Sequence, residues 1–332
     1  MHHPDLRRLH PLLKILADGH FHSGQQLGEA LGVSRTAVWK KLQLLEDVGL
    51  DIQAVSGKGY RLSRPLELLQ REQITAHLTS NSQTLLNRLE ILPVIDSTNR
   101  YLADRPGSGQ ACFAEYQLTG RGRRGRAWHS PFAANICFSL TWYFDDTAST
   151  LSGLSLAAGV WIAEALQRAG ITGIGLKWPN DVLYSGHKLA GVLIEMKGET
   201  AGPCQTVIGI GLNVDMAGAA AESIDQAWTD IRTITGQRPE RNRLAGLLLH
   251  HLLTGLSDYQ VNGLATVQAR WNELDCMAGR NVQLHHPSGI LTGTAHGIDE
   301  TGALQLRCKD GVHSVHSGEV SLRPATPARQ CG

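Results

Sequence analysis

The residues best suited to chemistry lie in one run, Gly120-Arg121-Gly122-Arg123-Arg124-Gly125-Arg126, which places four arginines and no acid in seven positions. Guanidiniums neutralise phosphate or carboxylate through paired N–H donors, and the interleaved glycines leave bare amides on a mobile backbone. The run also satisfies the G-x-G-x-x-G pattern of dinucleotide-binding folds. That pattern needs small or apolar residues feeding a helix and an acid about 20 positions on, whereas Ala127-Trp128-His129-Ser130-Pro131 follows here. An anion-wrapping loop is the better reading, with a solvated basic loop as the bland alternative.

Three other groups could join it. Lys177-Trp178-Pro179-Asn180-Asp181 sits at a strand end and Lys188-Leu189-Ala190-Gly191 follows one hairpin later. Lysines on facing strands of one hairpin point into the same cleft. Gly209-x-Gly211 removes side chains from an apolar strand where a ligand could approach. Asp96-Ser97-Thr98-Asn99 follows a strand and opens a helix, so it is an N-cap and also a polar corner able to hold a small neutral ligand. No Ser–His or Cys–His arrangement stands out as a nucleophile. No metal is expected: the six cysteines include no C-x-x-C, and the neighbours His250-His251 and His285-His286 point apart on a helix or strand.

The elements that must position these groups change along the chain. Residues 1–65 read as short helices, with an apolar stripe Leu9, Leu12, Leu13, Leu16, a capping box at Ser23-Gly24-Gln25-Gln26 and a second N-cap at Ser34. A strand–turn–strand over Ile52–Leu62 turns at Gly57-Lys58-Gly59. This is the layout of a winged helix-turn-helix, whose second helix enters the major groove; a protein–protein module is the bland alternative. Residues 66–274 mix apolar strands (Leu89–Ile95, Ile136–Trp142, Ile174–Trp178, Val182–Tyr184, Leu189–Glu195, Val207–Leu212) with helices from Asn99, over Leu151–Ala169, Asn242–Leu256 and Leu264–Leu274. Tight turns such as Ser185-Gly186 favour a mixed or antiparallel sheet. Residues 275–325 alternate short strands with turns, the signature of a small β barrel.

Composition sets the outer limits. Lys+Arg 31 against Asp+Glu 30 leaves a net charge of +1, so any nucleic-acid site is local, and the first 66 residues do carry nine Lys or Arg against six acids. The longest uncharged apolar stretch, Thr147–Ala163, is broken by serines and threonines and falls short of the roughly 20 apolar residues of a membrane span. A soluble, reduced, cytoplasmic protein is expected.

With these pieces in order the chain resembles the bifunctional biotin–protein ligase and biotin operon repressor family. The resemblance covers nearly the full length and rests on Asp96–Asn99, Ala114-Glu115-Tyr116-Gln117-Leu118-Thr119 with Gly120–Arg126, Lys177–Asp181, Lys188–Gly191 and Gly209-Ile210-Gly211-Leu212-Asn213. It implies an α+β multidomain chain: an N-terminal winged helix-turn-helix, a central class II synthetase-like mixed-sheet ligase domain and a C-terminal SH3-like β barrel. The implied reaction joins biotin and Mg·ATP into biotinyl-5′-AMP, which then biotinylates a lysine of a carboxylase carrier domain.

Roles carry over by position. The resemblance implies that Ser97, Thr98, Asn99 and Gln117 surround the biotin ureido end. Arg121, Gly122 and Arg123 form the loop over biotin and the phosphates, and Lys188 meets the biotin carboxylate, with Lys188 and Arg123 as the catalytic pair. Arg121, Arg123, Arg126, Trp128, Lys177, Asn180, Asn213, Trp228 and Arg323 face the nucleotide. Trp228 packs on adenine when a loop at about Met216–Thr229 closes. The DNA-facing set is Ser23, Ser34, Arg35, Thr36, Trp39, Lys40, Lys41 and Lys58, and Trp39 departs from the smaller or polar residues common at its place. Operator DNA upstream of biotin-biosynthesis genes, a carrier domain and a homodimer strengthened by biotinyl-5′-AMP are the implied partners. A lipoate–protein ligase, a pure biotin-sensing transcription factor and a ligase without repressor role remain as alternatives.

Overall fold

The computed structural model describes residues 6–47, 49–145, 153–198, 203–216, 224, 226–286, 289–316 and 321–324. After a 3-10 turn, α1 (His10–Leu16) turns Leu12, Leu13 and Leu16 inward. Ser23 caps α2 (Gly24–Leu31) by the expected reciprocal box: Gln26 N–H donates to Ser23 Oγ at 3.1 Å, and Ser23 N–H donates to Gln26 Oε1 at 2.9 Å. Ser34 Oγ likewise accepts from Ala37 N–H at 3.2 Å to start α3 (Arg35–Glu46), which buries Val38, Leu42 and Leu45. The wing, β1 (Ile52–Val55) with β2 (Gly59–Leu62), is antiparallel and is tied close to its turn by two backbone bonds between His22 and Tyr60. Gly59 has a φ of 100°, and a Cβ there would run into the His22 carbonyl, so only glycine lets the wing dock.

Two short helices, α4 (Arg71–Thr75) and α5 (Ser80–Leu85), lead into the central domain. Its strands are β3 (Arg88–Leu92), β4 (Gln110–Ala114), β5 (Asn135–Phe144), β6 (Ile174–Lys177), β7 (Asp181–Tyr184), β8 (His187–Gly198) and β9 (Cys204–Asn213). They form one sheet in the order β3-β4-β5-β9-β8-β7-β6. The β3–β4 pair is parallel and the others are antiparallel, the mixed sheet that the tight turns imply. Between the strands run α6 (Thr98–Ala103) and α7 (Leu154–Arg168); α8 (Ile231–Thr235), α9 (Arg241–Asn262) and α10 (Ala265–Leu274) follow. Helix α7 is apolar on most of its circumference because it is buried on most of it, against the sheet and α9. The expected start of this helix, 151 and 152, lies outside the described residues.

The C-terminal strands β10 (Asn281–His286), β11 (Gly289–Ile298), β12 (Leu304–Cys308), β13 (Gly311–Val315) and β14 (Ser321–Pro324) form an antiparallel sheet in the order β13-β12-β11-β10-β14. Its inner residues, among them Val282, Leu284, Leu304 and Leu322, belong to the same hydrophobic cluster as the central sheet. The winged helix has a core of its own, which Leu68, Val94 and Phe132 of the following domain help to close. No helix among the described residues is long and apolar enough to cross a membrane.

Several bounds differ from the sequence expectation. Strand β3 stops at Leu92, short of Ile95, and α9 runs on to Asn262, past Leu256. Strand β4 and helices α4, α5 and α8 were not anticipated. Strand β4 is buried on nearly every residue, so its sequence QACFA lacks the alternation that marks a half-exposed strand. The short helices α4, α5 and α8 are too brief to show an apolar stripe.

The segment joining the first domain to the second is lashed down by a buried ion pair. Arg241 at the start of α9 donates to Glu115 Oε2 at 2.8 Å, with both side chains almost wholly enclosed. The other Glu115 oxygen accepts from Leu69 N–H, and Arg241 also donates to the Asn135 carbonyl. Glu67 accepts from the N–H groups of Arg241 and Asn242 at 2.7 and 2.9 Å. Removing one member strands a charge in a dry interior, the costly way to break such a pair. Arg241→Met is expected to lower unfolding free energy by about 3–5 kcal/mol, read from urea midpoints, and Arg241→Met with Glu115→Gln to recover much of that loss.

Candidate active site

A cavity of about 1130 Å³ opens over strands β8 and β9. The start of α6, the arginine-rich loop, the turn between β6 and β7, Ile224, Gln226, Ala227, Trp228 and Arg323 of β14 complete its wall. Every residue assigned to biotin or nucleotide by resemblance lines it.

One end is neutral and polar. Thr98 donates from N and Oγ1 to Gln117 Oε1 at 2.9 and 3.2 Å. Ser139 Oγ, on β5, lies 2.7 Å from Thr98 Oγ1 and 2.5 Å from Asn99 Oδ1. Asn99 Nδ2 donates to Glu195 Oε2 at 2.8 Å and to the Leu193 carbonyl. This fixes which way the Asn99 amide faces. Ser97 occupies the N-cap position of α6, yet its side chain makes no capping bond, unlike those of Ser23 and Ser34. Gly209 makes room here, since a Cβ would overlap the Asn99 side chain. Arg121 pairs with Glu195 at 3.0 Å, which ties the loop to this corner.

The other end gathers cations. Lys188 Nζ lies 2.6 Å from Asp181 Oδ1, both mostly covered. Burial holds Lys177 below the usual lysine range, opposed by Asp181, and burial likewise lowers Arg123, again opposed by Asp181. Arg123 donates to Asn180 Oδ1 at 3.3 Å, and Asn180 Nδ2 donates to the Val192 carbonyl at 2.8 Å. Lys177 and Lys188 do not face each other across one hairpin. They stand on β6 and β8 with β7 and Asp181 between them. Arg123, Lys177 and Lys188 around Asp181, with Arg124, Arg126 and Arg323 also lining the cavity, leave this end with an excess of positive charge, a place for an anion.

Trp128 forms the floor between the two ends. Its ring lies 5.8 Å from Lys188 Nζ, and Gly211 admits it, because a Cβ there would overlap the indole. The Gly120–Arg126 run turns back on itself through Gly122 N–H to the Arg126 carbonyl and Trp128 N–H to the Gly120 carbonyl. No α-helix follows, against a dinucleotide fingerprint. Arg126 is exposed at the mouth. Trp228 pairs alongside Lys188: Lys188 N–H donates to the Ala227 carbonyl and Thr229 N–H to the Lys188 carbonyl, both at 2.9 Å. Asn213 Nδ2 donates to the Thr229 carbonyl at 3.1 Å, so Asn213 secures this segment. Most of the expected closing loop, including Ala217–Ala221, lies outside the described residues.

The sequence reading missed Ser139 and Glu195 and gave Asp181 no role. Ser139 left a trace, a hydroxyl inside an apolar strand that must find a partner. Glu195 meets Asn99 and Arg121 only through sheet order. His250 and His251 each have a partner, Ser82 and Glu164. The described side chains that come within reach of a shared ion are Cys308, Asp310 and His313 at the β12–β13 turn; none lines the cavity.

On the winged helix, the DNA-facing set divides. Ser23 and Ser34 are engaged as caps, and Lys41 Nζ donates to the Arg8 carbonyl at 3.2 Å. Arg35, Thr36, Trp39 and Lys40 are exposed along α3. Lys58 at the wing tip lies 5.9 Å from the Phe21 ring centre.

Comparison with known proteins follows this division of the chain. Residues 8–61 match an HTH domain, 91–213 the biotin/lipoate A/B protein ligase family, and 278–323 the biotin protein ligase C-terminal domain. The chain is 43% identical to the bifunctional ligase/repressor BirA of Escherichia coli over 95% of this chain and 97% of that one. It is 34% identical to the biotin–[acetyl-CoA-carboxylase] ligase of Mycobacterium tuberculosis over 70% of this chain and 88% of that one. Among solved structures, the biotin protein ligase of Aquifex aeolicus in complex with biotin and ATP aligns with a TM-score of 0.64 at 28% identity, covering 72% of this chain and all of the other. The first of these relatives aligns with both the winged helix and the cavity-bearing domain of this chain along nearly its whole length, and on that ground the chain belongs to the bifunctional biotin ligase/repressor family.

Proposed function

We propose that the cavity joins biotin to ATP as biotinyl-5′-AMP and then passes biotin to a lysine of a biotin carboxyl carrier domain. The observation that carries this reading is one space with a neutral polar end and a cationic end. Ser97, Thr98, Asn99 and Gln117 offer the donors and acceptors that suit a ureido ring better than a dithiolane. Lys188 lies where the ligand's carboxylate would reach, and Arg121, Gly122 and Arg123 cover the junction with the α-phosphate. Arg126, Trp128, Lys177, Asn180, Asn213, Trp228 and Arg323 surround the nucleotide, which enters with Mg²⁺.

The chemistry explains the charges. The biotin carboxylate attacks the α-phosphate, and pyrophosphate leaves. Both reactants are anionic, so cations must offset their repulsion and the charge that builds at phosphorus. Lys188, Lys177 and Arg123 supply that field, and the incoming carboxylate competes with Asp181 for Lys188. In the second step the carrier lysine attacks the acyl carbonyl and AMP leaves. No protein nucleophile is required.

The winged helix makes the same chain a repressor. We infer that it binds operator DNA upstream of biotin-biosynthesis genes as a homodimer strengthened by biotinyl-5′-AMP, in the cytoplasm. The E. coli relative, a bifunctional ligase/repressor by name, supports both roles in one chain.

Lys188→Ala is expected to leave the chain folded, because Lys177 and Arg123 remain beside Asp181, and to reduce biotin-dependent ATP–pyrophosphate exchange at least tenfold; exchange at the unaltered rate would remove Lys188 from the site. Glu195→Gln, which frees Arg121 and loosens Asn99, is expected to raise the KM for biotin about 3–10-fold with a smaller change in kcat, measured by the same exchange. Operator binding at fixed salt is expected to tighten when biotin and Mg·ATP are supplied together, and a mobility-shift titration that shows no change would refute the repressor role.

A further inference from the structure

The outward face of α3 carries Arg35, Thr36, Trp39, Lys40 and Gln43, all turned away from the buried side at Val38, Leu42 and Leu45. Four of the five are charged or polar. Trp39, in the middle, leaves 48% of its surface in solvent. Nothing in the helix's own packing needs it, since the inward stripe is already complete. An indole of this size gains free energy when an apolar partner covers it.

Its neighbours indicate the kind of partner. Lys40 stands beside it. Arg35 lies one turn earlier with its stem across Gly24, where a Cβ would come within 3.2 Å of the Arg35 Cγ and Nε. Lys58 projects from the wing tip, and the acids of α3 and its C-cap, Glu46 and Asp47, sit at the far end of that helix. Cations around one apolar group suit DNA phosphates around a base edge.

In the major groove the apolar group on offer is the thymine C5 methyl, which lies next to the thymine O4 acceptor. Indole has an apolar face and a single N–H donor, so thymine matches both features at once. We propose that Trp39 is the residue that sets base preference on α3, by packing on a thymine methyl in each half of the operator. This rests on the DNA-binding reading above and adds the base and the group that are read.

Uracil retains O4 and pairing and lacks only the methyl, which makes it the direct probe. The full chain, with biotin and Mg·ATP, is offered a random duplex library. The recovered sites are then resynthesised with uracil in place of each thymine in turn. At one thymine per half-site, uracil is expected to weaken wild-type binding about fourfold, the effect of one methyl moved out of contact. At that position Trp39→Ala should bind both duplexes equally while keeping its salt dependence. A recovered site indifferent to uracil at every thymine overturns the inference and leaves the DNA reading standing. So does a Trp39→Ala protein with the wild-type uracil response, and if it also self-associates less in sedimentation, the indole belongs to a protein interface. If the wild type enriches no sequence, the DNA reading itself falls and takes this inference with it.

Discussion

Lys177 and Lys188 repel each other, Arg126 opposes both Lys177 and Arg123, and the chain holds these cations in one cavity by setting Asp181 among them. The strand order β8-β7-β6 puts that carboxylate between the two lysines. Much of the surrounding architecture holds this cluster in place. Asn180 is fixed by the Val192 carbonyl and receives Arg123. Trp178 is buried and donates to the Gly302 carbonyl, so the C-terminal domain steadies the turn that carries Asn180 and Asp181. Gly211 admits the Trp128 ring, and Gly191 leaves room for the end of the Lys188 side chain. A charge arranged in advance requires little reorganisation when the reaction develops its own charge, the usual source of rate in phosphoryl chemistry.

The same frame binds the two halves of the proposed activity. The residues that leave the wing, Arg64 to Gln70, run along the edge of the central domain. Glu67, Leu69 and Gln70 bond to the start of α9 and to Glu115. Arg64 lies 3.4 Å from Asp215, which also pairs with Arg232. Asp215 follows Asn213, the residue that secures the Trp228 segment. An exposed pair such as Arg64–Asp215 contributes little stability by itself. Its place matters more, since the wing's exit and the segment beside Lys188 share neighbours. Such shared contacts give a route by which ligand binding and DNA binding could be linked.

Local signals were legible in the sequence, and distant partners were not. The caps at Ser23 and Ser34 are written within four residues, and both helices start where they imply. The Gly120–Arg126 run, the two lysines and the Ser97–Asn99 corner were all visible as chemistry, and the cavity brings them together. Ser139 acquires its role only when β5 lies against α6, and Glu195 only when β8 carries it to Asn99 and Arg121, residues far earlier in the chain. Asp181 could be read as part of a motif but not as the counter-charge of three cations, because that depends on strand order. Strand β4 escaped notice for a related reason, since burial on both faces erases the alternation.

The cationic cavity is proposed to activate a carboxylate and hand it to a lysine. The most direct measurement incubates the full chain with biotin, Mg·ATP and a biotin carboxyl carrier domain, and follows the carrier's mass and the nucleotide products together. The account predicts one biotin on one carrier lysine, with one AMP and one pyrophosphate formed for each biotin transferred. A carrier that remains unmodified while biotin and ATP are present, or that is modified without consumption of ATP, would contradict it.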